Sequence, residues 1–194
     1  RPHRSGGHRL TRHPLTLGAA ASYCRYELCC EYSPLDRAGE AAVAGIQARY
    51  PLVLRQDAVH YAGLSLERKR LTDTWTGGDL DDKRVNVAVL SFDGVSAMAA
   101  GQLRYRVALT GGDLQIRGPA DYIKVNAATI DTAGGYGKLW GQVDFLYPVT
   151  GWSFLNLRLS GQSASRNLDS SEKFILGGFN GVRAYPEGEA AGDN

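Results

Sequence analysis

The residues that could carry out a reaction do not form a catalytic motif in this 194-residue sequence. Gly177-Gly-Phe-Asn-Gly181 follows an apolar stretch, but its spacing is not G-x-G-x-x-G and no helix is predicted after it. Gly135-Tyr-Gly-Lys138 contains a lysine, yet Leu139 stands where a phosphate-binding loop needs Ser or Thr. Nucleophile-elbow, zinc-protease and paired C-x-x-C patterns are absent. We therefore predict that the protein is not an enzyme and uses no cofactor.

Residue types that bind metals also lack a suitable spacing. Cys24, Cys29 and Cys30 form a C-x4-C-C cluster, which matches no zinc pattern. They are either incidental thiols beside a hairpin or, in an oxidising compartment, one disulfide and a spare thiol. The histidines of the basic stretch 1–14 suit neither a helix face nor a strand face. The sequence therefore predicts no metal site, and residues 1–14 are an unassigned basic terminus.

Apolar and polar residues alternate along most of the remaining chain with a period of two, which is typical of β-strands. The Thr-Gly-Gly-Asp-Leu stretches 76–80 and 110–114 are both predicted to mark hairpin ends. Residues 112–133 form the longest irregular stretch, and no capped helix is predicted. The fold class that follows is all-β. About eight strands are predicted, near residues 15–23, 46–50, 62–66, 85–89, 103–109, 143–147, 155–159 and 174–176.

Alternation alone does not decide which face of such a sheet is wet. A soluble sandwich turns its apolar face to a core, whereas a membrane barrel turns that face to lipid and its polar face to a wet lumen. The apolar faces of residues 103–109 and 155–159 carry no charge, which favours the barrel. Aromatic residues near strand ends also suit an interfacial girdle: Tyr50, Tyr61, Trp75, Tyr147 and Trp152.

Hydrophilic residues of the opposite face would line the lumen of such a barrel. A mixture of charges and amides would keep a pore hydrated, although an ordinary solvated face or a salt-bridge lattice would use the same residue types. A soluble β-sandwich binding module stays open as an alternative, and Glu67 with Asp144 leaves an outer-membrane barrel hydrolase as a distant one. The net charge of +2 does not indicate nucleic-acid binding. The lumen-facing candidates are Arg49, Gln102, Arg104, Arg106, Gln142, Asp144, Asn156 and Arg158.

Several stretches resemble the motifs of one protein family. Residues 159–174 contain Gly161-Gln and Asn167-Leu-Asp-Ser-Ser-Glu-Lys-Phe174, and a Gly-rich loop with Val182-Arg-Ala-Tyr185 follows. Residues 26–36 (Tyr-Glu-Leu-Cys-Cys-Glu-Tyr-Ser-Pro-Leu-Asp) and Arg49-Tyr-Pro-Leu52 add weaker matches. Together they are similar to two-partner-secretion outer-membrane transporters, the TpsB family of ShlB/FhaC/HecB-type haemolysin secretion and activation proteins. The resemblance is most specific over residues 159–193.

The resemblance implies an antiparallel transmembrane β-barrel in the bacterial outer membrane. Through type V secretion it would export, and can activate, a large partner exoprotein such as a haemolysin or adhesin. The implied partners are this passenger and outer-membrane lipid, with no nucleic acid. Barrels of the family have sixteen strands and follow two POTRA modules, so residues 15–194 are expected to be a fragment truncated at both ends.

The family's Gly-rich loop folds back into the barrel, where its arginine pairs with an acidic residue of a later strand. Arg183 is the matching arginine here, and its acidic partner is expected beyond Asn194. A guanidinium suits this role because its fixed fork stays charged and can bind a carboxylate through two hydrogen bonds. Ala184 replaces the family's glycine, which would strain the loop by about 1 kcal/mol if φ is positive there. The loop motif by resemblance is Gly181, Val182, Arg183 and Tyr185.

Overall fold

Seven antiparallel strands form one sheet in the computed structural model, which describes residues 15–27, 38–75, 78–175 and 191–193. The spatial order of the strands equals their order in the chain, so each strand pairs with its sequence neighbours. The predicted all-β, antiparallel fold class is confirmed, and the sheet is consistent with part of a β-barrel. The strands are β1 (Thr16–Glu27), β2 (Ala38–Leu54), β3 (Ala58–Trp75), β4 (Gly78–Met98), β5 (Gly101–Arg117), β6 (Gly134–Pro148) and β7 (Phe154–Ala164).

A helix, α1 (Ala120–Ala128), connects β5 to β6. The expectation of an irregular stretch over residues 112–133 is therefore wrong, because β5 continues to Arg117 and the helix follows it. Pro119 precedes α1 and supplies no side-chain cap, so the usual sequence signal of a helix start is missing. None of the helices in the described ranges is long and apolar enough to span a membrane.

The glycine pair of β5 lies inside the strand and not at a turn. Gly112 pairs with Val87 on one side and with Tyr136 on the other, so the hairpin end predicted at residues 110–114 is wrong. A Cβ atom on Gly112 would collide with the ring of Tyr136. The tyrosine thus fills the space that the glycine leaves, which allows a glycine in the middle of a strand.

The eighth predicted strand does not join the sheet. Phe174–Ile175 (β8) pairs instead with Ala191–Gly192 (β9) in a separate two-stranded ribbon. Before this ribbon the chain makes a 3-10 turn at Ser170–Glu172 and packs across one face of the sheet. We call residues 165–175 the strap. Each of the eight predicted stretches therefore contains a strand, and seven of these strands form the large sheet of the described residues.

Cross-strand register decides which side chains share a face of the sheet. On one face, leucines of four neighbouring strands lie directly opposite one another: Leu64, Leu90, Leu109 and Leu139. Their side chains are 43–56% exposed, and Leu159 of β7 on the same face is 76% exposed. No described residue covers these leucines with a second layer. We call this side of the sheet the apolar face and the other side the polar face.

Charged residues appear on the apolar face only toward one end of the strands. Arg68 and Arg70 follow Leu66 along β3, and Asp82 and Arg84 are near them in β4. Arg70 donates two hydrogen bonds of 3.2 Å to the carboxylate of Asp82. The strands therefore extend past the apolar region into a charged end, which explains why they are longer than the apolar alternation predicted.

At the other end of the apolar face, β3 and β5 touch across β4. The Tyr105 hydroxyl is hydrogen-bonded to Nδ1 of His60 at 3.0 Å, and His60 Nε2 lies 3.3 Å from the Ser96 hydroxyl. Gly94 of β4 lies between the tyrosine and the histidine, where a Cβ atom would collide with the imidazole. The missing side chain allows two strands that are not neighbours to make this contact.

The aromatic residues near strand ends do not all share a face. Tyr50 and Tyr147 project on the apolar face, and Trp152 in the β6–β7 turn is 86% exposed. Tyr61 projects on the polar face, beneath a guanidinium. The expectation of one aromatic girdle is therefore wrong for Tyr61, because the register of β3 turns this ring away from the apolar side.

Candidate functional site

All eight predicted lumen-facing residues project from the polar face. Two cross-strand rows show this directly: Arg104 lies opposite Asp144, which lies opposite Arg158, and the next row contains Arg106 and Gln142. That these side chains line a lumen stays a prediction. The remaining three share the face through the same register: Arg49, Gln102 and Asn156.

Asp144 forms the centre of a polar cluster on β5, β6 and β7. Its carboxylate accepts a hydrogen bond of 2.7 Å from the side-chain amide of Gln142 and another from Nε of Arg158. The Asp144 side chain is only 14% exposed, whereas that of Arg158 is 49% exposed. A carboxylate held from two sides is engaged in a local network of charge-assisted hydrogen bonds.

A second cluster lies on β2, β3 and β4. Arg49 forms an ion pair with Asp93, and its guanidinium carbon lies 3.8 Å above the ring centroid of Tyr61. The cation–π contact and the ion pair together fix the arginine against the polar face of the sheet. Arg49 lies opposite Gly63 of β3, and Asp93 lies opposite Tyr61, so the ion pair runs diagonally from β2 to β4.

Between the two clusters is a cavity of about 420 Å³. Arg104 and Arg106 line it from β5, and in the described ranges neither makes a hydrogen bond or an ion pair. Their guanidinium groups are donors with no acceptor capacity. The cavity can therefore take an anionic group, such as a carboxylate of a polypeptide.

The strap attaches to the polar face through two carboxylates, of which Glu172 is buried and Asp169 is partly buried. Glu172, with a side chain 5% exposed, accepts hydrogen bonds of 2.6 Å from Lys69 and 2.7 Å from Lys138. Asp169 lies 3.1 Å from the ammonium group of Lys83. The three lysines come from β3, β4 and β6, so the strap ties three strands together.

The lysines lower the pKa of both carboxyl groups. Burial by itself would raise the pKa of Glu172, but the hydrogen bonds from Lys138 and Lys69 outweigh it and leave the pKa below its ordinary value. Burial would likewise raise the pKa of Asp169, and the charge and hydrogen bond of Lys83 lower it on balance. Both groups are therefore carboxylates at neutral pH.

Apolar packing joins these ion pairs. Leu168 of the strap is 2% exposed and packs with Val85, Val87, Leu114 and Tyr136 of the polar face. Among the described residues, Leu168, Leu114 and Val85 are the largest fully buried side chains. The only substantial core of the described structure is therefore the contact between the strap and the sheet.

Sequence reasoning missed the strap attachment. Lys69, Lys83 and Lys138 stand at polar-face positions where ordinary alternation also places solvated charges, so nothing in the pattern distinguishes them. The one sequence feature that could have indicated the attachment is the stretch Asp169-Ser-Ser-Glu172, in which two acidic residues follow the apolar Leu168.

Other predicted positions give less information. The loop motif residues Gly181, Val182, Arg183 and Tyr185 lie outside the described residues, as do Cys29 and Cys30, so those predictions stay open. Cys24 is exposed. Within the described ranges, no group of three or more His, Cys, Asp or Glu side chains could hold a metal ion.

Comparisons with known proteins give a distant likeness. No family model and no solved structure matches the chain. Two curated proteins from two strains of Haemophilus influenzae, each named heme/hemopexin transporter protein HuxB, are 24% identical to it over 180 and 181 residues. These alignments cover 91% of this chain and 32% of each relative, so the chain spans about a third of their length. Nearly the whole chain is thus similar to one part of a bacterial transporter.

Proposed function

We propose that this sheet is part of the wall of an outer-membrane β-barrel that secretes a large partner exoprotein from the periplasm to the cell surface. The observation that carries the proposal is the difference between the two faces. One is an uncovered row of leucines across four strands, and the other is a lattice of charges and amides. The likeness to a bacterial transporter supports the same function.

The apolar face suits contact with lipid. Side chains such as Leu109, which is 56% exposed, and Leu159, which is 76% exposed, would be costly to leave in water as one continuous patch. A soluble sandwich would cover this face with a second sheet, and none is present among the described residues. In a barrel the same leucines face hydrocarbon, which needs no protein cover.

The polar face suits a water-filled pore. Arg49 is paired with Asp93, and Arg158 with Asp144, so these four charges are locally neutralised. A hydrated lattice of this kind gives an unfolded polypeptide polar groups and water to slide past at these two clusters. The passenger is a large exoprotein of the haemolysin or adhesin class, and Arg183 acts in the loop that enters the pore.

Site-directed spin labelling of the full-length protein in bacterial outer membranes tests the proposal. Labels replace Val107 and Leu109 on the apolar face and, as matched controls on the same strand, Arg106 and Ala108 on the polar face. Cys24, Cys29 and Cys30 are first replaced by serine. Labels at 107 and 109 are expected to collide with oxygen dissolved in lipid, and labels at 106 and 108 with a water-soluble nickel chelate.

The opposite pattern would reject the barrel. If labels at Val107 and Leu109 report water and no acyl-chain contact, the face is not in lipid. Labels that contact neither water nor lipid would indicate a covering second sheet and would favour the soluble β-sandwich module. Secretion is tested separately, by deleting the protein from its host and measuring whether the partner exoprotein still reaches the cell surface.

A further inference from the structure

We propose that Arg104 and Arg106 form a binding site for an extended acidic polypeptide segment, in which two carboxylate side chains are separated by one residue. The site is the cavity of about 420 Å³ on the polar face. The proposal rests on the proposed function in one respect, that the segment belongs to the passenger that passes the sheet. The binding itself follows from the charges, the spacing and the walls of the cavity.

The first group of charges at the cavity is centred on Asp144. This residue of β6 lies opposite Arg104 of β5 on one side and opposite Arg158 of β7 on the other. Its carboxylate accepts hydrogen bonds from Arg158 and from the side-chain amide of Gln142. Two arginines thus share one aspartate, and the aspartate is engaged away from Arg104. The group has one positive charge in excess.

The same arrangement recurs in β4. Asp93 lies opposite Arg106 and forms an ion pair with Arg49, so again two arginines share one aspartate. Within the described residues, neither Arg104 nor Arg106 makes a hydrogen bond or a salt bridge. Both side chains are exposed. The cavity therefore presents two excess cations, both from β5, that a ligand can reach.

The spacing of these two cations selects the kind of anion. Arg104 and Arg106 are alternate residues of one strand, so they project on the same side with Cα atoms about 6.5–7 Å apart. Alternate residues of any extended polypeptide have the same repeat. Two carboxylates separated by one residue can therefore each meet one guanidinium, whose fork suits a carboxylate. Carboxylates on adjacent residues of an extended chain point to opposite sides, and only one of them would meet the site.

The walls of the cavity favour a polypeptide over a small inorganic anion. Val59, Val95 and Trp140 line it, and each is partly exposed. A phosphate ion bound to the arginines would leave these apolar groups in water. The hydrocarbon parts of peptide side chains would cover them, which adds a favourable contribution that an inorganic anion lacks.

Isothermal titration calorimetry of the full-length protein in neutral detergent tests the site. The probe is a synthetic peptide of Ser and Thr with two Asp residues separated by one Ser. The double variant Arg104→Gln, Arg106→Gln should bind this peptide about tenfold more weakly than the parent, because two exposed ion pairs are lost. The control Arg68→Gln removes a charge from the apolar face and should bind the peptide as the parent does.

Three further probes establish the ligand class. A peptide with two adjacent Asp residues should bind the parent about threefold more weakly than the spaced peptide, because it makes one ion pair in place of two. A peptide with Asn in place of both Asp residues, and inorganic phosphate, should bind more weakly still. If the spaced peptide does not bind, or if the adjacent peptide or phosphate binds equally well, the proposal is overturned.

Heat-modifiable gel mobility, the mark of a folded barrel, shows whether the variants are intact. If the double variant does not fold, Arg106→Gln alone is used, and it should weaken binding of the spaced peptide about threefold. A folded variant that binds the spaced peptide as tightly as the parent would show that the peptide binds elsewhere, and it would also overturn the proposal.

The two proposals fail in distinguishable ways, which conductance in planar bilayers separates. If the parent forms no pore but binds the spaced peptide through the two arginines, the secretion function is wrong and the binding site stands. If the parent forms a pore and secretes its partner, but does not distinguish the spaced from the adjacent peptide, the binding site is wrong and the secretion function stands.

Discussion

Oε2 of Glu172 lies 2.7 Å from Nζ of Lys138, although 34 positions separate the two residues in the chain. The glutamate side chain is 5% exposed and the lysine side chain 15% exposed. Both charges have left most of their hydration, and each depends on the other for compensation. Removing Lys138 leaves the buried carboxylate with one ammonium partner, Lys69, in place of two, which costs more than the loss of an exposed ion pair.

Replacing Lys138 should therefore destabilise the protein strongly. Lys138→Met leaves Glu172 with Lys69 as its one ammonium partner, and we expect the free energy of unfolding to fall by about 3 kcal/mol. The measurement is urea unfolding of the detergent-solubilised protein. Lys124→Met on the exposed side of α1 removes the same charge and should change the free energy by less than about 0.5 kcal/mol. Equal effects of the two substitutions would contradict the buried ion pair.

Stability should depend on pH through the strap carboxylates. The pKa of Glu172 and that of Asp169 are lowered in the folded protein, so they contribute stability above their ordinary values and lose it as pH falls through the folded-state values. The loss should therefore begin below about pH 4. Other charged or titratable groups around the strap are Glu67, Lys69, Lys83, Tyr136, Lys138, Lys173 and Asp193.

The check compares urea midpoints at neutral and acidic pH in the parent and in Glu172→Gln. The parent should lose more stability on acidification than the variant, because the variant has no carboxyl group at position 172 to protonate. A variant that loses as much as the parent would show that other groups cause the acid sensitivity.

The two central glycines of β5 should respond in opposite ways to alanine. In Gly112→Ala the new methyl group would meet the buried ring of Tyr136, and we expect a loss of about 1–3 kcal/mol from overpacking. In Gly111→Ala nothing lies within 4 Å of the new atom, so stability should hold or rise slightly. The temperature at which heat-modifiable gel mobility is lost measures both. A tolerated Gly112→Ala would mean that Tyr136 moves freely.

A charged residue at position 109 should show whether the apolar face lies against lipid or against water. Leu109→Arg places a charge in the middle of the leucine row, which costs about 2–4 kcal/mol if that row faces the bilayer centre. Ala108→Arg, one residue earlier, places the same side chain on the polar face and should assemble at nearly the parent level. Barrel assembly in outer membranes is measured by heat-modifiable mobility. A soluble, folded Leu109→Arg protein would count against the membrane position.

The arginines of the polar cavity should influence ion selectivity. Arg104 and Arg106 line the cavity, and Arg104 lies opposite Asp144, whose carboxylate is already bonded to Arg158 and Gln142. The double variant Arg104→Gln, Arg106→Gln should shift the reversal potential of the reconstituted pore toward cations. Arg68→Gln on the opposite face is the control and should leave the potential unchanged. If the reversal potential shifted in Arg68→Gln and not in the double variant, the lumen would lie on the side of the sheet that we call the apolar face.

Sequence alone predicted the sheet because its signal is local. Period-two alternation in stretches such as Leu103–Leu109 marks a strand and also assigns its faces, so all eight polar candidates fell on one side. Strand ends were not predictable, because β4 continues through Asp82 and Arg84, where both faces carry charge. The sequence Gly111-Gly112 is typical of a turn. Its place inside a strand is explained by Tyr136, which lies 24 positions after Gly112 in the chain and covers it.

The lysine site that binds the strap could not be predicted from the sequence without knowledge of the fold. Lys69, Lys83 and Lys138 are ordinary polar-face residues in their own strands, and Glu172 is one acidic residue of many. They become a site only because β3, β4 and β6 bring the lysines together and the chain after β7 turns back across them. That convergence depends on long-range pairing, which no local pattern encodes.

The hydrogen bond between the side chains of Tyr105 and His60 constrains the register of β4, the strand that lies between them. Sliding β4 by two residues would keep every side chain on its own side of the sheet, so the hydrophobic pattern by itself would not oppose the error. It would, however, move Gly94 away and bring Phe92 or Ser96 to the gap, where a side chain would separate the phenol from the imidazole. Gly94 therefore favours the observed register of β3, β4 and β5 over registers in which β4 is shifted by two residues.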